Sequence, residues 1–372
     1  MRIAMLLHKT VEHDSRVRRE ARALAAAGHR VTVLHLPRVH GECDGDLDGF
    51  SVRSVTPPGW VRRRLPSILY RSVFLASFLL AILRLRPDVV HAHDAAMLAP
   101  GMLGAWATGA ELVYDSHEYA AGVPYRDPRW ARGVAALERI ALPRCGAVIT
   151  VSDGIAARIQ ADHGLARRPT VIRNLPDPAD TDLSYEAPDL RRELGLSPST
   201  PLVLHLGAVA LERGCESLVR AMAAVPDAHL LFLGADDDAY AAGLARLADR
   251  EGLSERVHLL PSVPVSRIRA HVRQADVGVS LLENTCENHR LALPNKVFEY
   301  MAAGIPVVVS DLPELKKFVD SRGVGRGADP ASPDDVAAAI SAEIRSARSS
   351  STPGGNVPTW GEEQIRLRDL FV

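Results

Sequence analysis

Two successive series of short apolar runs, each run followed by a segment of helix length, leave this 372-residue chain few architectures. The first series is RIAMLLH, HRVTVLHL, FSVRSV, DVVHAH, ELVYDSH, AVITVS and PTVIRN. The second restarts at Pro201 with PLVLHLG and continues through AHLLFLG, RVHLLP, DVGVSLL and IPVVVS. Strands that alternate with helices pair in parallel, because each crossover returns the chain to the same edge, and such sheets are covered on both faces. The expected fold is α/β: two Rossmann-like domains whose parallel sheets face across a cleft. The first domain is read as residues 1–176 and the second as 201–357, joined by a linker at 177–200 rich in proline, aspartate and serine. A second low-complexity stretch, SARSSSTPGGNVP at 346–358, precedes TWGEEQIRLRDLFV. That last segment reads as a short amphipathic helix. Such a helix is marginal alone, so residues 358–372 are expected to cross back and dock on the first domain.

Composition narrows the function. Apolar residues make up 47% and charged residues 24%, as in a packed α/β protein, and a net charge of -1 argues against a nucleic-acid partner. Cys43, Cys145, Cys215 and Cys286 are far apart with no C-x-x-C pair, the pattern of reduced thiols rather than of a disulfide framework or a zinc site. MRIAMLLHKT runs straight into a strand-like segment without a cleavage site, so a cytoplasmic location is expected. In WVRRRLPSILYRSVFLASFLLAILRLRPD (60–88), the uninterrupted run from Ser72 to Leu83 falls short of the roughly 20 residues that span a bilayer. A helix packed on a sheet is the preferred reading there. The alternative is peripheral contact with the inner face of a membrane, through a surface that Arg62, Arg63 and Arg64 would bring to anionic lipid.

The segment richest in chemistry is ALPNKVFEYMAAGIPVVVSDLPE (292–314). Pro294 suits the first helical position, and Gly304 and Pro306 end the helix before the next strand. Asn295 and Lys296 then stand at a helix amino terminus, where free amides and the macrodipole attract anions. Lysine is scarce in this chain, occurring only at positions 9, 296, 316 and 317, so one placed there is apt for a phosphate. Glu299, one turn on, can accept hydrogen bonds from a diol such as ribose. In LHLGAVALERGCESL, Gly207 permits a sharp turn and Arg213 precedes the next helix, completing a two-cation clamp for a diphosphate. In the first half, HAHDAA and YDSHEY set His93, Asp94, Asp115, His117 and Glu118 at the carboxyl ends of strands, where open α/β sheets bind ligands. HxHD and DxHE lack an evident third nitrogen or sulfur ligand, so no metal site is expected. The first loop carries His13, Asp14, Arg16 and Arg19, with Asp14 as N-cap and an acceptor-contacting role open to the others.

Together these segments resemble the retaining GT-B glycosyltransferases of the large family 4 group. The likeness spans DSRVRREARALAAAGHRVTVL, VVHAHD, YDSHE, VITVSDGIA, VIRNLPD, LPNKVFEYMAAGIPVVVSDLPE and the final TWGEEQ helix. It implies a nucleotide-sugar donor on the second domain and a hydroxyl-bearing acceptor on the first, with His13, Asp14, Arg16, His93, Asp94 and Glu118 on the acceptor side. It implies no other cofactor; uridine is the first expectation for the base, with guanosine and thymidine open. Glu299 matches the second glutamate of the family's Glu-x7-Glu motif, Arg213 its phosphate-binding lysine, and His117 the histidine beside the reacting carbon. The chain departs from the pattern at Leu291, where the first glutamate would fall, and at Ala208, where an arginine would fall. Asn295, Lys296, and Glu287 or Asn288 are the nearest compensating groups. The resemblance implies transfer with retention and without a metal. Two rival readings are a nucleotide-sugar epimerase of the same architecture and a catalytically silent nucleotide-sugar-binding partner.

Overall fold

The structure, a computed structural model, describes residues 1–36, 44–55, 67–123, 127–236, 239–349 and 358–372. Its contacts divide the chain into two units, Met1–Asn174 with Gly361–Val372, and Leu175–Trp360.

The first unit is built on an eight-stranded sheet: β1 (Arg2–Leu7), β2 (Arg30–His35), β3 (Gly45–Leu47), β4 (Phe50–Ser54), β5 (Val89–His93), β6 (Glu111–Ser116), β7 (Ala147–Thr150) and β8 (Thr170–Val171). The order is β3-β4-β2-β1-β5-β6-β7-β8, with every pair parallel except β3 with β4. Residues 3–7 of β1 are all buried, as both faces of a central parallel strand demand. The order reverses at β1, where Met5 lies opposite Val33 of β2 on one side and His91 of β5 on the other. The helix Ser15–Ala26 begins as expected, with the Asp14 carboxylate accepting from the Val17 amide at 3.0 Å. Its buried face, however, includes Arg16, Arg19 and Glu20, which an amphipathic reading would leave in water. The short strand β3 has no apolar pattern; the Asp48-Gly49 turn that pairs it with β4 was the available signal, both residues having positive φ.

The last helix, Trp360–Arg368, docks on this first unit as expected. Glu363 is 1% exposed and meets Arg173 at 3.4 Å and Arg366 at 3.1 Å. Arg368 donates to the Ala23 carbonyl, and the Phe371 ring lies 5.5 Å from that of His91. Among the described residues no helix is long and apolar enough to cross a membrane, including Ser67–Leu85. Arg62, Arg63 and Arg64 lie outside the described residues.

The second unit holds a six-stranded parallel sheet ordered β11-β10-β9-β12-β13-β14. Its strands are β9 (Leu202–Leu206), β10 (His229–Leu233), β11 (Val257–Leu260), β12 (Val277–Ser280), β13 (Val307–Ser310) and β14 (Gly325–Ala328). Val203, Phe232, Val279 and Val308 pack against Leu218, Leu244 and Ile340 from the covering helices. The strand GRGA was not foreseen, because it has no β-branched or apolar signature. Residues 177–200, read as a linker, are anchored to this unit: Arg191 donates to Asp276 and to the Gln274 carbonyl, both at 2.6 Å. The helix Pro333–Ser349 also runs through the first residues of the stretch 346–358, whose residues 350–357 lie outside the described ones.

The sheet order reverses between β9 and β12, and there the two strands need a bridge. Tyr300, fully buried on the helix Asn295–Ala303, provides it. Its hydroxyl accepts from the Leu206 amide at 2.8 Å and faces the Leu204 and Val279 carbonyls at 3.1 Å each. Gly278 makes this insertion feasible, since a Cβ at that position would lie 2.3 Å from the tyrosine ring. Tyr300→Phe should therefore strand the buried Leu206 amide and destabilise the second unit by about 1–3 kcal/mol. Urea unfolding followed by circular dichroism would show an earlier midpoint; an unchanged midpoint would mean the hydroxyl is dispensable.

Candidate active site

The carboxyl edges of the two sheets carry two clusters of opposite electrostatic character. In the first unit, β5 delivers His93 and Asp94, β6 delivers Asp115 and, one residue past its end, His117, and the helix after β1 delivers Arg16 and Glu20. Asp115 is fully buried, and Arg16 grips it with two hydrogen bonds of 2.8 and 2.9 Å. Arg16 also donates to the Ile172 carbonyl at 2.7 Å and touches Glu20 at 3.0 Å. His117 turns Nε2 to Asp115 at 3.1 Å and Nδ1 to Asp94 at 3.3 Å. His93 adds its Nδ1 at 3.2 Å from both Asp115 and the His117 ring.

Burial alone would push a proton off His117, but Asp94 and then Asp115 outweigh it, and its pKa is pushed up to about 9. Carboxylates only accept, so the ring is an imidazolium that donates from both nitrogens. In this arrangement the ring is a donor, to Asp115 and Asp94. Burial pushes Glu20 up, because Arg16 is committed to Asp115; Asp115 is held well below the usual carboxylate range by Arg16 and His117, although burial opposes them. Asp14, 5% exposed, is likewise held low by His117 and by Lys9, at 2.9 Å, against the effect of burial.

Four expectations for the acceptor side change: Asp14 and Arg19, 5% and 3% exposed, are paired with Lys9 and Asn174, and Arg16 and His93 are turned inward as well. Arg16 is 2% exposed with its guanidinium bound to Asp115, Glu20 and Ile172, so it positions Asp115 instead of meeting an acceptor. His93 is fully buried and backs His117. Asp94 and His117 retain side-chain exposure of 20% and 15%, and Glu118 is partly exposed beside them. The His13 side chain lies outside the described residues. Asp94 has φ 65° and ψ 162°, a backbone region that L side chains rarely occupy, and its carboxylate receives the His117 amide at 3.3 Å. Strain of this kind persists where surrounding structure over-determines it, as at functional sites.

Sequence reading foresaw no metal ligands here, yet Glu20, His91, His93 and Asp115 bring four potential ligand atoms within 4.8 Å of one another. The Arg16 guanidinium already contacts both carboxylates and supplies positive charge at that place. Glu20 and His91 were missed in the sequence; a polar residue inside an otherwise apolar strand or helix face is the signal that marks them.

In the second unit the cluster is cationic. Pro294 occupies the N-cap position of the helix Asn295–Ala303, one residue earlier than expected, and makes no side-chain cap hydrogen bond. Lys296 is partly buried; its Nζ lies 3.1 Å from Nε2 of His205, on β9. Burial, and then the Arg213 charge, push the Lys296 amine down to about 7. Arg213 precedes Gly214, which has φ 63° and sits where a Cβ would come 2.5 Å from Leu281. Among the described residues neither cation meets a carboxylate. Gly207 ends β9 with φ 86°, Asn295 is exposed, and Glu299 is partly buried one turn beyond Lys296. Ala208 is exposed; Glu287, Asn288 and Leu291 share the short helix Glu287–Leu291. A depression of ≈ 610 Å³ lined by Arg2, Arg30, Phe50 and Asp88 lies at the amino ends of the first sheet, the edge opposite the one open α/β sheets use.

Two parallel sheets in one chain, each with polar groups gathered where its strand order reverses, are the GT-B architecture. Residues 15–180 match the family described as Glycosyltransferase Family 4, and residues 200–345 match that described as Glycosyl transferases group 1. The chain is a glycosyltransferase of this family 4 and group 1 type. It is similar to the 2-deoxystreptamine glucosyltransferase of Streptomyces kanamyceticus, 29% identical over 314 residues covering 78% of each chain. Sucrose-phosphate synthase from Thermosynechococcus elongatus superposes with a TM-score of 0.79 at 19% identity, over 100% of this chain and 98% of that one. HepE of Anabaena, solved in complex with UDP and glucose, gives 0.75 at 17% identity over 99% of each.

The charge on His117 has a checkable sign. A histidine whose pKa rises from 6.5 in the unfolded chain to about 9 in the folded one contributes stability that is fully present below 6.5 and lost as pH rises through 9. The stability difference between wild type and His117→Gln should be largest near about pH 6 and vanish by about pH 10. Thermal unfolding across that range checks it; a difference independent of pH would show the ring to be neutral.

Proposed function

We propose that this glycosyltransferase takes a sugar from a nucleoside diphosphate donor held by its second unit and passes it to a hydroxyl acceptor, with retention and without a metal. The observation that carries this reading is Lys296 in the first turn of the helix Asn295–Ala303, with the Arg213 charge close enough to act on it and, among the described residues, no carboxylate paired with either. Such a place is built for an anion. The similar fold of HepE, whose structure holds UDP and glucose, supports a nucleoside diphosphate sugar with uridine as the base.

Glu299 is assigned to the ribose hydroxyls, and Asn295 with Lys296 and Arg213 to the diphosphate. As the anomeric carbon–oxygen bond breaks, negative charge grows on the leaving diphosphate, and Lys296, Arg213 and the helix amides stabilise it where a metal would otherwise be needed. The acceptor oxygen forms the new bond to the anomeric carbon, and its proton leaves with the diphosphate. His117, whose two ring N–H groups point at Asp115 and Asp94, is assigned to the reacting sugar through its positive charge, and Asp94 and Glu118 to the acceptor. Asp115, Arg16 and His93 hold that pair in place.

Two measurements test the reading. With cations of the chain in place of a metal, turnover should be unchanged by a chelator; loss in EDTA that magnesium or manganese restores contradicts it. The second compares two variants. Glu299→Ala should weaken binding of a bare nucleoside diphosphate by about ten- to a hundredfold, the worth of a charged hydrogen-bond acceptor of about 1.5–3 kcal/mol. His117→Ala should bind the nucleotide nearly normally yet lose on the order of 10²–10⁴ in turnover. Calorimetry beside initial rates distinguishes them, and the reverse pattern would exchange the roles of the two units.

A further inference from the structure

We propose that His205 is a positioning residue of the donor-phosphate site, fixing where the Lys296 amine stands, and that the donor diphosphate binds there with uptake of one proton. The inference rests on the assignment of Lys296 to the diphosphate and adds a residue and a proton to it. His205 is the one polar side chain of β9, whose sequence is LVLHL, and it is fully buried. Its ring lies 5.2 Å from that of Phe232. Nε2 is 3.1 Å from the Lys296 amine and 3.4 Å from the Ala208 carbonyl, while Nδ1 has no hydrogen-bond partner. A neutral imidazole can either receive a hydrogen bond from the amine or give one, and either way it fixes where Nζ stands.

The charge balance explains why the amine yields its proton. The groups acting on it are Arg213 from the loop after β9 and Cys215 from the helix Cys215–Ala221, beside His205 itself. The Cys215 thiol is pushed up to about 11 by burial and carries no charge near neutrality. Glu299 lies one turn along the lysine's own helix, and the helix Val265–Val272 packed on it carries Arg267, Arg269 and His271, none of which acts on the amine. β12 and β13 bring no ionisable group. Two partly buried cations thus act on one another with no carboxylate paired to either among the described residues. Arginine keeps its proton, so lysine is the one that titrates, its amine pushed down to about 7 chiefly by burial. A bound diphosphate supplies the missing negative charge and returns the amine to ammonium.

The test is calorimetry of UDP-glucose, GDP-glucose and TDP-glucose in buffers of different ionisation enthalpy. Their diphosphates are esterified at both ends, so no phosphate proton titrates near neutrality and any proton taken up goes to the protein. For the sugar that binds, uptake should approach one proton at about pH 8 and fall near zero at about pH 6, with affinity dropping roughly tenfold per pH unit above 7. Lys296→Arg should bind without proton uptake. His205→Leu should weaken binding and move the half-uptake point to lower pH, and His205→Gln should restore both. Binding to wild type with no proton uptake at pH 8 overturns the inference while leaving the donor site intact, and an unchanged profile in His205→Leu removes the role of His205. Failure of all three sugars to bind overturns the donor site itself.

Discussion

Parallel strands on either side of an order reversal turn their crossovers to opposite faces, and the carboxyl ends left between them must be filled by something other than a neighbouring crossover. In the second unit that filler is Tyr300, whose hydroxyl binds backbone groups of β9 and β12 at once. Because Tyr300 fixes its helix against β9, the residue one turn earlier, Lys296, is carried to His205, and the amide end of the helix is fixed beside Arg213. Gly278 and Gly214 belong to the same constraint: one admits the tyrosine ring and the other admits the backbone next to Leu281. The phosphate end of the proposed donor site is thus a by-product of how the sheet closes its own edge.

The same edge of the first sheet is solved with charge. Three carboxyl groups, Glu20, Asp94 and Asp115, crowd near one another, and Arg16 and the imidazolium of His117 neutralise them within the unit. That balance fits the hydroxyl acceptor proposed for this unit. In the second unit, Lys296 and Arg213 have no paired carboxylate among the described residues. An unpaired buried charge is costly and a paired one is close to balanced, so the two clusters differ in what they gain from binding an anion. That difference supports the proposed placement of the donor on the second unit.

The chain's departures from the family pattern also find a physical setting. With alanine at 208 and leucine at 291, the second unit presents fewer polar side chains than the pattern implies. His205, beneath the loop that holds Ala208, is close enough to contact both that loop and Lys296. The amine is thereby held without a carboxylate, which would compete with the phosphate it is proposed to bind.

The sequence by itself determined the alternation of strands and helices, and with it two parallel sheets and the edge at which ligands would gather. It also marked Lys296, Arg213, Glu299, Asp94 and His117, because rare or charged residues beside helix starts and strand ends have few structural duties. β3 and β14 escaped it, since a short edge strand needs no apolar pattern, only a turn or a neighbour to pair with. Tertiary structure alone decided that Arg16 and Glu20 face inward, that His117 is charged, and that His205 meets Lys296 across 91 positions of chain. The reason is that period and propensity report which face of an element is apolar, whereas the protonation and partners of a buried polar group depend on what the rest of the fold brings to within a few ångströms of it.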